Sequence, residues 1–402
     1  MLYGIVAAAT ALLLAAVLAA LLRVPALRLG LLDRRQRQRR VPLSGGVAVV
    51  LATCGVAVTG DRTGLAPLGE GIGALLAAGA GVAALGLVAD AWRLKTRFLL
   101  VGTAVAAAFV VPYADTGVPA GVAAVGWIAC VALAFRALDH AEGVGGTVGV
   151  VTAFGVAACA AAEVMDGLAV LLSVLAAALT GFLMHNWPPA RVALGGCGAM
   201  FTGFLLAAAA VTTRAGQDAA TGAGVLFALT AVAVADVALV VLARRTAGRP
   251  LLRRGPDHLA HRLRRLGLTP AGATVAVGAL AFPGVLVGTL AHTGVLGAPA
   301  VSWVAGGVPV VVLVLWRVRA RVPGQGRTGT ETRAGRGRTG LEARAGQGAR
   351  ARQDLSPQHP HRPRRQPVSL LQPPRESVES PLRAPRHIAS PQVNGSLRVR
   401  NG

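Results

Sequence analysis

The chain has 402 residues, of which 54% are hydrophobic and only 14% are charged. A water-soluble protein of this length carries far more charge on its surface, so the composition excludes an ordinary soluble protein. The net charge of +23 resembles that of a nucleic-acid-binding protein, but the positions of the charges are explained by membrane topology. We therefore expect no nucleic-acid partner.

The apolar residues form runs of 16 to 21 residues with short polar breaks between them. A helix needs about 20 such residues to cross the hydrocarbon core of a membrane. The abundance of Ala, Leu and Val favours helices over the strands of a barrel. We predict an all-α, polytopic membrane helix bundle of about 11 transmembrane helices, at residues 4–22, 45–60, 71–89, 97–112, 119–135, 143–162, 166–184, 195–212, 223–243, 270–290 and 297–316.

The loops between these helices alternate in charge. One set of loops, from Arg23 to Arg265, carries 20 basic residues, whereas the other set carries only Arg62 and Arg214. The positive-inside rule assigns the first set to the cytoplasm. The amino terminus is then outside and the carboxyl terminus is cytoplasmic, which requires an odd number of helices. The pattern predicts a multi-pass protein of the inner (plasma) membrane.

The composition changes abruptly after Trp316. Residues 317–402 contain 18 Arg and five acidic residues, and they are rich in Gly, Pro, Gln and Ser. A segment with so few apolar residues cannot bury a core. We predict two regions: a transmembrane domain at 1–316 and a disordered basic cytoplasmic tail at 317–402.

Polar side chains collect at the predicted cytoplasmic ends of the helices. Carboxylates suit Mg²⁺, which prefers oxygen ligands, and Arg and His side chains suit phosphate oxygens. A cluster on one side of the membrane indicates a site for a charged substrate that meets a lipid there. The alternative for each of these residues, considered alone, is that it anchors the end of its helix in the lipid headgroup region. The set comprises Asp90, Asp139, His140, Glu142, His185, Asn186, Asp257, His258 and His261.

Asp236 differs from these residues because it lies inside the ninth predicted helix, roughly two turns before Arg244 and Arg245. A carboxylate at that depth costs a few kcal/mol unless it is paired. We predict a functional or bundle-facing role for Asp236.

Five segments, in this order, resemble the motifs of the polyprenyl-phosphate sugar-1-phosphate transferases (glycosyltransferase 4 type). The undecaprenyl-phosphate N-acetylglucosamine-1-phosphate transferases look most similar. The segments are Val-Pro-Leu-Ser-Gly-Gly at 41–46, Gly-Leu-Val-Ala-Asp at 86–90, Leu-Asp-His-Ala-Glu-Gly at 138–143, Asn-Trp-Pro-Pro-Ala-Arg at 186–191 with Gly-Gly-Cys-Gly at 195–198, and Asp-His-Leu-Ala-His-Arg at 257–262.

The resemblance implies transfer of a sugar-1-phosphate from a UDP-sugar to a polyprenyl phosphate, assisted by Mg²⁺, in cell-envelope polysaccharide synthesis. It makes Asp90 and Asp139 the catalytic and metal-binding residues, with Asp139 and Glu142 at the nucleotide sugar. Asn186 would orient the sugar or a loop. His258, His261 and Arg262 would bind the pyrophosphate. A homodimer is compatible with the resemblance.

The sequence also departs from the family pattern. Ala89 stands where the first of two aspartates is usual, Arg136 where an asparagine is usual, and Gly196 where the metal-binding aspartate is usual. Glu142 replaces an aspartate and Ala260 a histidine. Three hypotheses stay open: an active transferase with a shifted metal site, an inactive relative that binds prenyl phosphate or nucleotide sugar or acts as a scaffold, and an unrelated transporter or channel.

Overall fold

A computed structural model describes residues 2–32, 41–92, 94–249, 255, 257–297 and 299–318. Within these ranges the chain is helical apart from loops and one isolated bridge between Leu32 and Pro42. The predicted tail beyond residue 318 lies outside the described residues. So do the predicted basic loop residues Arg34, Arg35, Arg37, Arg39, Arg40, Arg93, Arg253 and Arg254.

Fifteen helices account for the described part of the chain. They are α1 (Leu2–Leu21), α2 (Arg23–Arg28), α3 (Gly45–Arg62), α4 (Ile72–Trp92), α5 (Thr96–Ala108), α6 (Tyr113–Thr116), α7 (Val118–Leu138), α8 (Val144–Ala162), α9 (Asp166–Asn186), α10 (Gly195–Thr213), α11 (Ala219–Leu229), α12 (Ala231–Thr246), α13 (Leu259–Arg265), α14 (Pro270–His292) and α15 (Pro299–Arg317).

The predicted membrane helix bundle is confirmed, and all eleven predicted segments are helical, although one of them is divided between two helices. Among the described residues, nine helical segments are long and apolar enough to cross a membrane, and α11 with α12 would make a tenth. The segment predicted at 97–112 is shorter than expected, because α5 has only 13 residues. At 1.5 Å per residue such a helix covers about 20 Å, less than the hydrocarbon core.

The segment predicted as one straight helix at 223–243 is instead a broken pair. Helices α11 and α12 are bent by 76° at Thr230. The hydroxyl of Thr230 donates a hydrogen bond to the carbonyl of Leu226, at 2.8 Å. A threonine that bonds back to the preceding turn often bends a helix. The bend was missed because residues 225–243 contain neither Pro nor Gly, the residues at which helices usually kink.

Helix α10 is the centre of the bundle. In its most apolar stretch 94% of the residues are buried, against 17% for α15. It contacts α4, α7, α8 and α3, and its sequence is apolar on every side and rich in Gly and Ala. A helix that is apolar all round is buried, and small residues let neighbouring backbones approach closely. The central helix therefore holds its first residues, Gly195 and Gly196, in a fixed position at one end of the bundle.

Candidate functional site

Loops from four parts of the chain meet at that end of the bundle. The turn at 139–143 joins α7 to α8, and the loop at 187–194 joins α9 to α10. The segment at 257–265 precedes α14, and α4 ends beside the start of α10. Hydrogen bonds between these segments bring the predicted site residues together in two groups. We call Asp90, Asp139 and Glu142 the carboxylate half. His140, Asp236, His258 and His261 form the histidine half.

In the carboxylate half, Asp90 is bound by groups of the protein itself. Its Oδ1 atom forms an ion pair with the Nη2 atom of Arg136 at 3.0 Å. Its Oδ2 atom accepts a hydrogen bond from the backbone N–H of Gly196. The adjacent Ala89 is 2% exposed and offers no ligand. The residue that departs from the family pattern at position 136 therefore neutralises the carboxylate that remains in this motif.

Asp139 and Glu142 are engaged in a similar way. Asp139 accepts a hydrogen bond from the backbone N–H of Gly195, at 3.0 Å. Glu142 accepts one from the backbone N–H of Ala190, at 3.0 Å. The carbonyl of Glu142 also accepts from the hydroxyl of Thr274, at 2.8 Å. Both carboxylates hold the 187–194 loop and the start of α10 against the turn that follows α7.

Asn186 is committed to the backbone on both sides of its amide. Its Oδ1 atom accepts from the N–H of Gly143 and its Nδ2 atom donates to the carbonyl of Val192, each at 2.7 Å. The side chain is 3% exposed. Asn186 therefore holds two loops together, and both the oxygen and the nitrogen of its amide have protein partners.

The histidine half is built around the buried carboxylate of Asp236, which is 0% exposed. Its Oδ2 atom lies 2.8 Å from Nδ1 of His258. Its Oδ1 atom accepts from the backbone N–H of Leu259 at 2.8 Å. A carboxylate oxygen accepts, so Nδ1 of His258 donates its proton to the hydrogen bond with Asp236. In the neutral ring the Nε2 atom is then the acceptor.

His140 joins the two halves, since it follows Asp139 and stacks on His258. The two ring centroids are 4.1 Å apart with an angle of 16° between the planes, and the ring of His261 lies 5.0 Å from that of His140. The Nδ1 atom of His140 contacts the carbonyl of Ala137, whereas its Nε2 atom is buried and has no hydrogen-bond partner. The sequence placed His140 in the polar set without assigning it a role.

Burial governs the protonation of these loop histidines. It lowers the pKa of His140 from 6.5 to about 3, against the opposing attraction of Asp236. It lowers the pKa of His261 from 6.5 to about 4, with further lowering from His258, Arg264 and Arg265. A charged imidazole loses hydration when it is buried and is repelled by neighbouring cations. Both rings are therefore neutral near pH 7.

The carboxylate half does not fit the Mg²⁺ that the resemblance implies. Mg²⁺ needs near-octahedral oxygen ligands at about 2.0–2.1 Å. Asp90 is already paired with a guanidinium and a backbone N–H. A side chain at Gly196 would meet Asp90, because a Cβ atom there would lie 2.8 Å from its Oδ1 atom. Neither a ligand from residue 196 nor the space for one is present.

The histidine half contains the one group of three His, Cys, Asp or Glu residues in the described chain whose ligand atoms lie close enough to share a metal ion: His140, Asp236 and His258, within 4.8 Å of one another. The orientation of the rings opposes this. A ligand lone pair lies in the imidazole plane, and two nearly parallel planes stacked at 4.1 Å do not meet near either ring. One ring must turn before both nitrogens can bind the same ion.

Arg262, predicted to bind pyrophosphate, is directed at the last helix. It is 5% exposed. Its Nη1 atom donates to the carbonyls of Leu315 and Trp316, at 2.8 and 3.0 Å, and more weakly to that of Val318 at 3.3 Å. The last carbonyls of an α-helix lack intrahelical partners, so Arg262 caps the carboxyl end of α15. The sequence does not reveal this role, because the two segments are more than 50 residues apart.

A polar network that the sequence missed lies at the opposite end of the bundle. The Nε2 atom of His292 lies 3.2 Å from Oε1 of Glu163, which also accepts from Gln217 at 2.7 Å. The Nη1 atom of Arg214 lies 3.4 Å from Nδ1 of His292. Arg214 belongs to the loop set that carries only two basic residues. Helices α8, α10 and α14 all end here, and their carboxyl-terminal dipoles favour the basic side chains.

The sequence signature of glycosyl transferase family 4 matches residues 72–214. A Streptomyces coelicolor protein named as a candidate glycosyltransferase is 65% identical over 337 residues, which cover 83% of this chain and 82% of that protein. Decaprenyl-phosphate N-acetylglucosaminephosphotransferases are more distant. That of Mycobacterium tuberculosis H37Rv is 29% identical, covering 56% of this chain and 66% of its own. That of Mycolicibacterium smegmatis is 27% identical, covering 61% and 71%. The chain therefore belongs to glycosyl transferase family 4, the polyprenyl-phosphate sugar-phosphate transferases.

Proposed function

We propose that the protein binds a polyprenyl phosphate at the loop-bearing end of the bundle and does not carry out metal-assisted sugar-phosphate transfer. The observation that supports this most directly is the state of the carboxylate half. Transferases of this family typically use a divalent metal ion. Here Asp90, Asp139 and Glu142 each accept a hydrogen bond from a backbone N–H, and Asp90 is also paired with Arg136.

The charge distribution supports a cytoplasmic location for the site. The loop-bearing end carries the basic residues of the first loop set, including Arg191, Arg244 and Arg262, whereas the opposite end carries Arg62 and Arg214. Positive loops stay in the cytoplasm during membrane insertion. A site at this end faces the cytoplasm of a multi-pass plasma-membrane protein. There it can meet a water-soluble nucleotide sugar and a lipid phosphate.

The ligand class follows from the relatives. Decaprenyl phosphate appears in the names of the mycobacterial proteins. Undecaprenyl phosphate has the same phosphate headgroup on a chain that is one isoprene unit longer. A phosphate bound here would lie near the neutral imidazoles and the guanidinium groups of Arg264 and Arg265, which suit its oxygens. A UDP-sugar is the second proposed ligand, and a homodimer is the proposed assembly.

The histidine half favours a second candidate, a transferase that works without a divalent ion. Asp236 and His258 form a buried carboxylate–imidazole pair at 2.8 Å. Such a pair can accept a proton from a nucleophile and stabilise the resulting imidazolium. The pair is intact although the metal ligands are missing. In this candidate His258 is the base, and the guanidinium groups of the loops offset phosphate charge.

Binding and turnover can be measured on the same preparation. Full-length protein in nanodiscs is mixed with decaprenyl phosphate, and bound lipid is measured by native mass spectrometry, with decaprenol as the matched control that lacks the phosphate. Radiolabelled UDP-N-acetylglucosamine is then added with Mg²⁺ or with EDTA. We expect retention of decaprenyl phosphate in both conditions and no lipid-linked product.

Each other outcome has a defined meaning. Product that requires Mg²⁺ contradicts the proposal and restores the active transferase. Product that forms equally in EDTA and is abolished by His258→Gln supports the second candidate. Equal retention of decaprenyl phosphate and decaprenol removes the phosphate site, and with it both candidates.

A further inference from the structure

We propose that Arg136 is a built-in cation that takes the place of a divalent metal ion at Asp90, and that removing its charge opens a latent metal site. The inference rests on the proposed function insofar as both concern the same end of the bundle. It is tested by metal binding, whereas the proposed function is tested by lipid retention and turnover. Failure of one can therefore be told from failure of the other.

Asp90 and Arg136 form a sheltered ion pair between two helices. Asp90 lies near the end of α4, and Arg136 near the end of α7. The guanidinium reaches Oδ1 of Asp90 at 3.0 Å, with side-chain exposures of 14% for Arg136 and 9% for Asp90. A carboxylate so sheltered needs a positive partner, because an unpaired buried charge is costly. Arg136 is that partner, and it joins two helices as a bridging ion would.

The first residues of α10 lie close to the carboxylate of Asp90. A Cβ atom on Gly196 would lie 2.8 and 3.0 Å from the two carboxylate oxygens and 3.0 Å from the carbonyl of Gly86. A Cβ atom on Gly195 would lie 3.1 Å from Oδ2 of Asp90. The start of α10 thus packs directly on the carboxylate. The guanidinium of Arg136 occupies the position beside Oδ1 of Asp90 that a metal ion bound to this oxygen would take.

The guanidinium of Arg136 and a divalent metal ion differ in their chemistry. A guanidinium supplies a permanent positive charge, since it stays protonated throughout the physiological pH range. It is covalently attached, so it does not dissociate when metal is withdrawn. It has no vacant orbital with which to polarise a phosphoryl oxygen as a metal ion does. Substituting Arg136 for the ion therefore preserves the contact between α4 and α7 and removes Lewis acidity.

The test uses full-length protein in detergent with Mg²⁺ and Mn²⁺ as probes. Arg136→Asn and Arg136→Gln remove the charge, and Arg136→Lys retains it. Arg191→Asn is the matched control, because it removes one exposed cation from the same face without touching Asp90. Thermal unfolding is followed with and without about 10 mM Mg²⁺, a concentration above the weakest dissociation constants, about 1 mM, of protein sites for Ca²⁺. Bound Mn²⁺ is measured by electron paramagnetic resonance.

We expect no response to Mg²⁺ from the native protein, Arg136→Lys or Arg191→Asn. In the neutral variants we expect Mg²⁺ to raise the unfolding temperature by roughly 2 °C or more, because an ion that binds only the folded state stabilises it. Bound Mn²⁺ should appear in the same variants. A folded neutral variant that ignores both ions overturns the proposal. Mn²⁺ bound to the native protein and lost in Asp90→Asn also overturns it, even if neither neutral variant folds.

Discussion

Asp90 and Asp236 are both sheltered carboxylates near one end of the bundle, and each is satisfied by one backbone N–H and one side-chain cation or donor. For Asp90 these are Gly196 and Arg136, and for Asp236 they are Leu259 and His258. The difference lies in the side chain. A guanidinium keeps its proton at every physiological pH, whereas an imidazole can gain or lose one.

That difference separates the two halves by chemistry as well as by position. The carboxylate half is closed by fixed partners and acts as a structural joint between α4, α7 and α10. The histidine half keeps a buried acceptor, Nε2 of His140, that has no protein partner. Proton transfer or ligand binding is therefore to be expected in the histidine half. Four changes test this comparison, in descending order of expected effect.

Asp236→Ala should be the most damaging. It removes the acceptor for His258 and for the N–H of Leu259 in a site with 0% exposure. Unpaired buried donors cost about 1–3 kcal/mol each, so we expect a loss of about 3 kcal/mol or more. Thermal unfolding in detergent measures it, with Asp115→Ala, an exposed residue of the short helix α6, as the control. A loss no larger than the control's would mean that Asp236 does not hold the histidine half together.

Gly196→Ala tests the packing of the carboxylate half. The added Cβ atom would lie 2.8 Å from Oδ1 of Asp90, so the ion pair with Arg136 must shift. We expect destabilisation of about 2 kcal/mol, as for other overpacked sites. Gly81→Ala is the matched control, because it is also helical and a Cβ atom there meets nothing within 4 Å. It should be neutral or stabilising by up to about 1 kcal/mol. Equal effects in the two variants would contradict the close packing.

Acidification should weaken the histidine half. The pKa of His140 is lowered from 6.5 to about 3 by burial. The pKa of this histidine is lower in the folded protein than in the unfolded chain. Below pH 6.5 the unfolded chain therefore binds a proton that the folded protein does not, and the free energy of unfolding falls. At pH 5.5 the expected loss is about 1.4 kcal/mol. His140→Phe should make the dependence of unfolding temperature on pH between 7 and 5.5 shallower and leave the contribution of His261, whose pKa is also lowered; an unchanged slope would count against a neutral buried His140.

Glu163→Gln at the opposite end should have the smallest effect. Glu163 accepts from Gln217 and lies 3.2 Å from His292, but its side chain is 34% exposed. Partly exposed ion pairs contribute about 0–1 kcal/mol, so we expect a change of about 0.5 kcal/mol. The variant should retain prenyl phosphate as the native protein does. A loss of lipid retention would show that the two ends of the bundle are coupled.

The sequence predicted the helix bundle well because the physical signal is strong. Runs of about 20 apolar residues and one-sided arginines are set by the membrane itself, and the motif order identified the family. The bend at Thr230 and the shortness of α5 were missed, since neither changes the apolar pattern. The partner of Asp90 could have been suspected from Arg136, which stands where the family pattern has an asparagine, three residues before Asp139. The stack of His140 on His258 could not, because 118 residues separate the rings and only the folded loops bring them together.

The account depends most on Asp90 being closed to divalent metal by Arg136. An experimental structure of the native protein determined with Mn²⁺, with anomalous diffraction recorded at the manganese edge, tests this directly. We predict no anomalous peak within coordination distance of Asp90 and a guanidinium of Arg136 on its Oδ1 atom. A manganese peak bound by Asp90, with Arg136 turned away, would contradict the account.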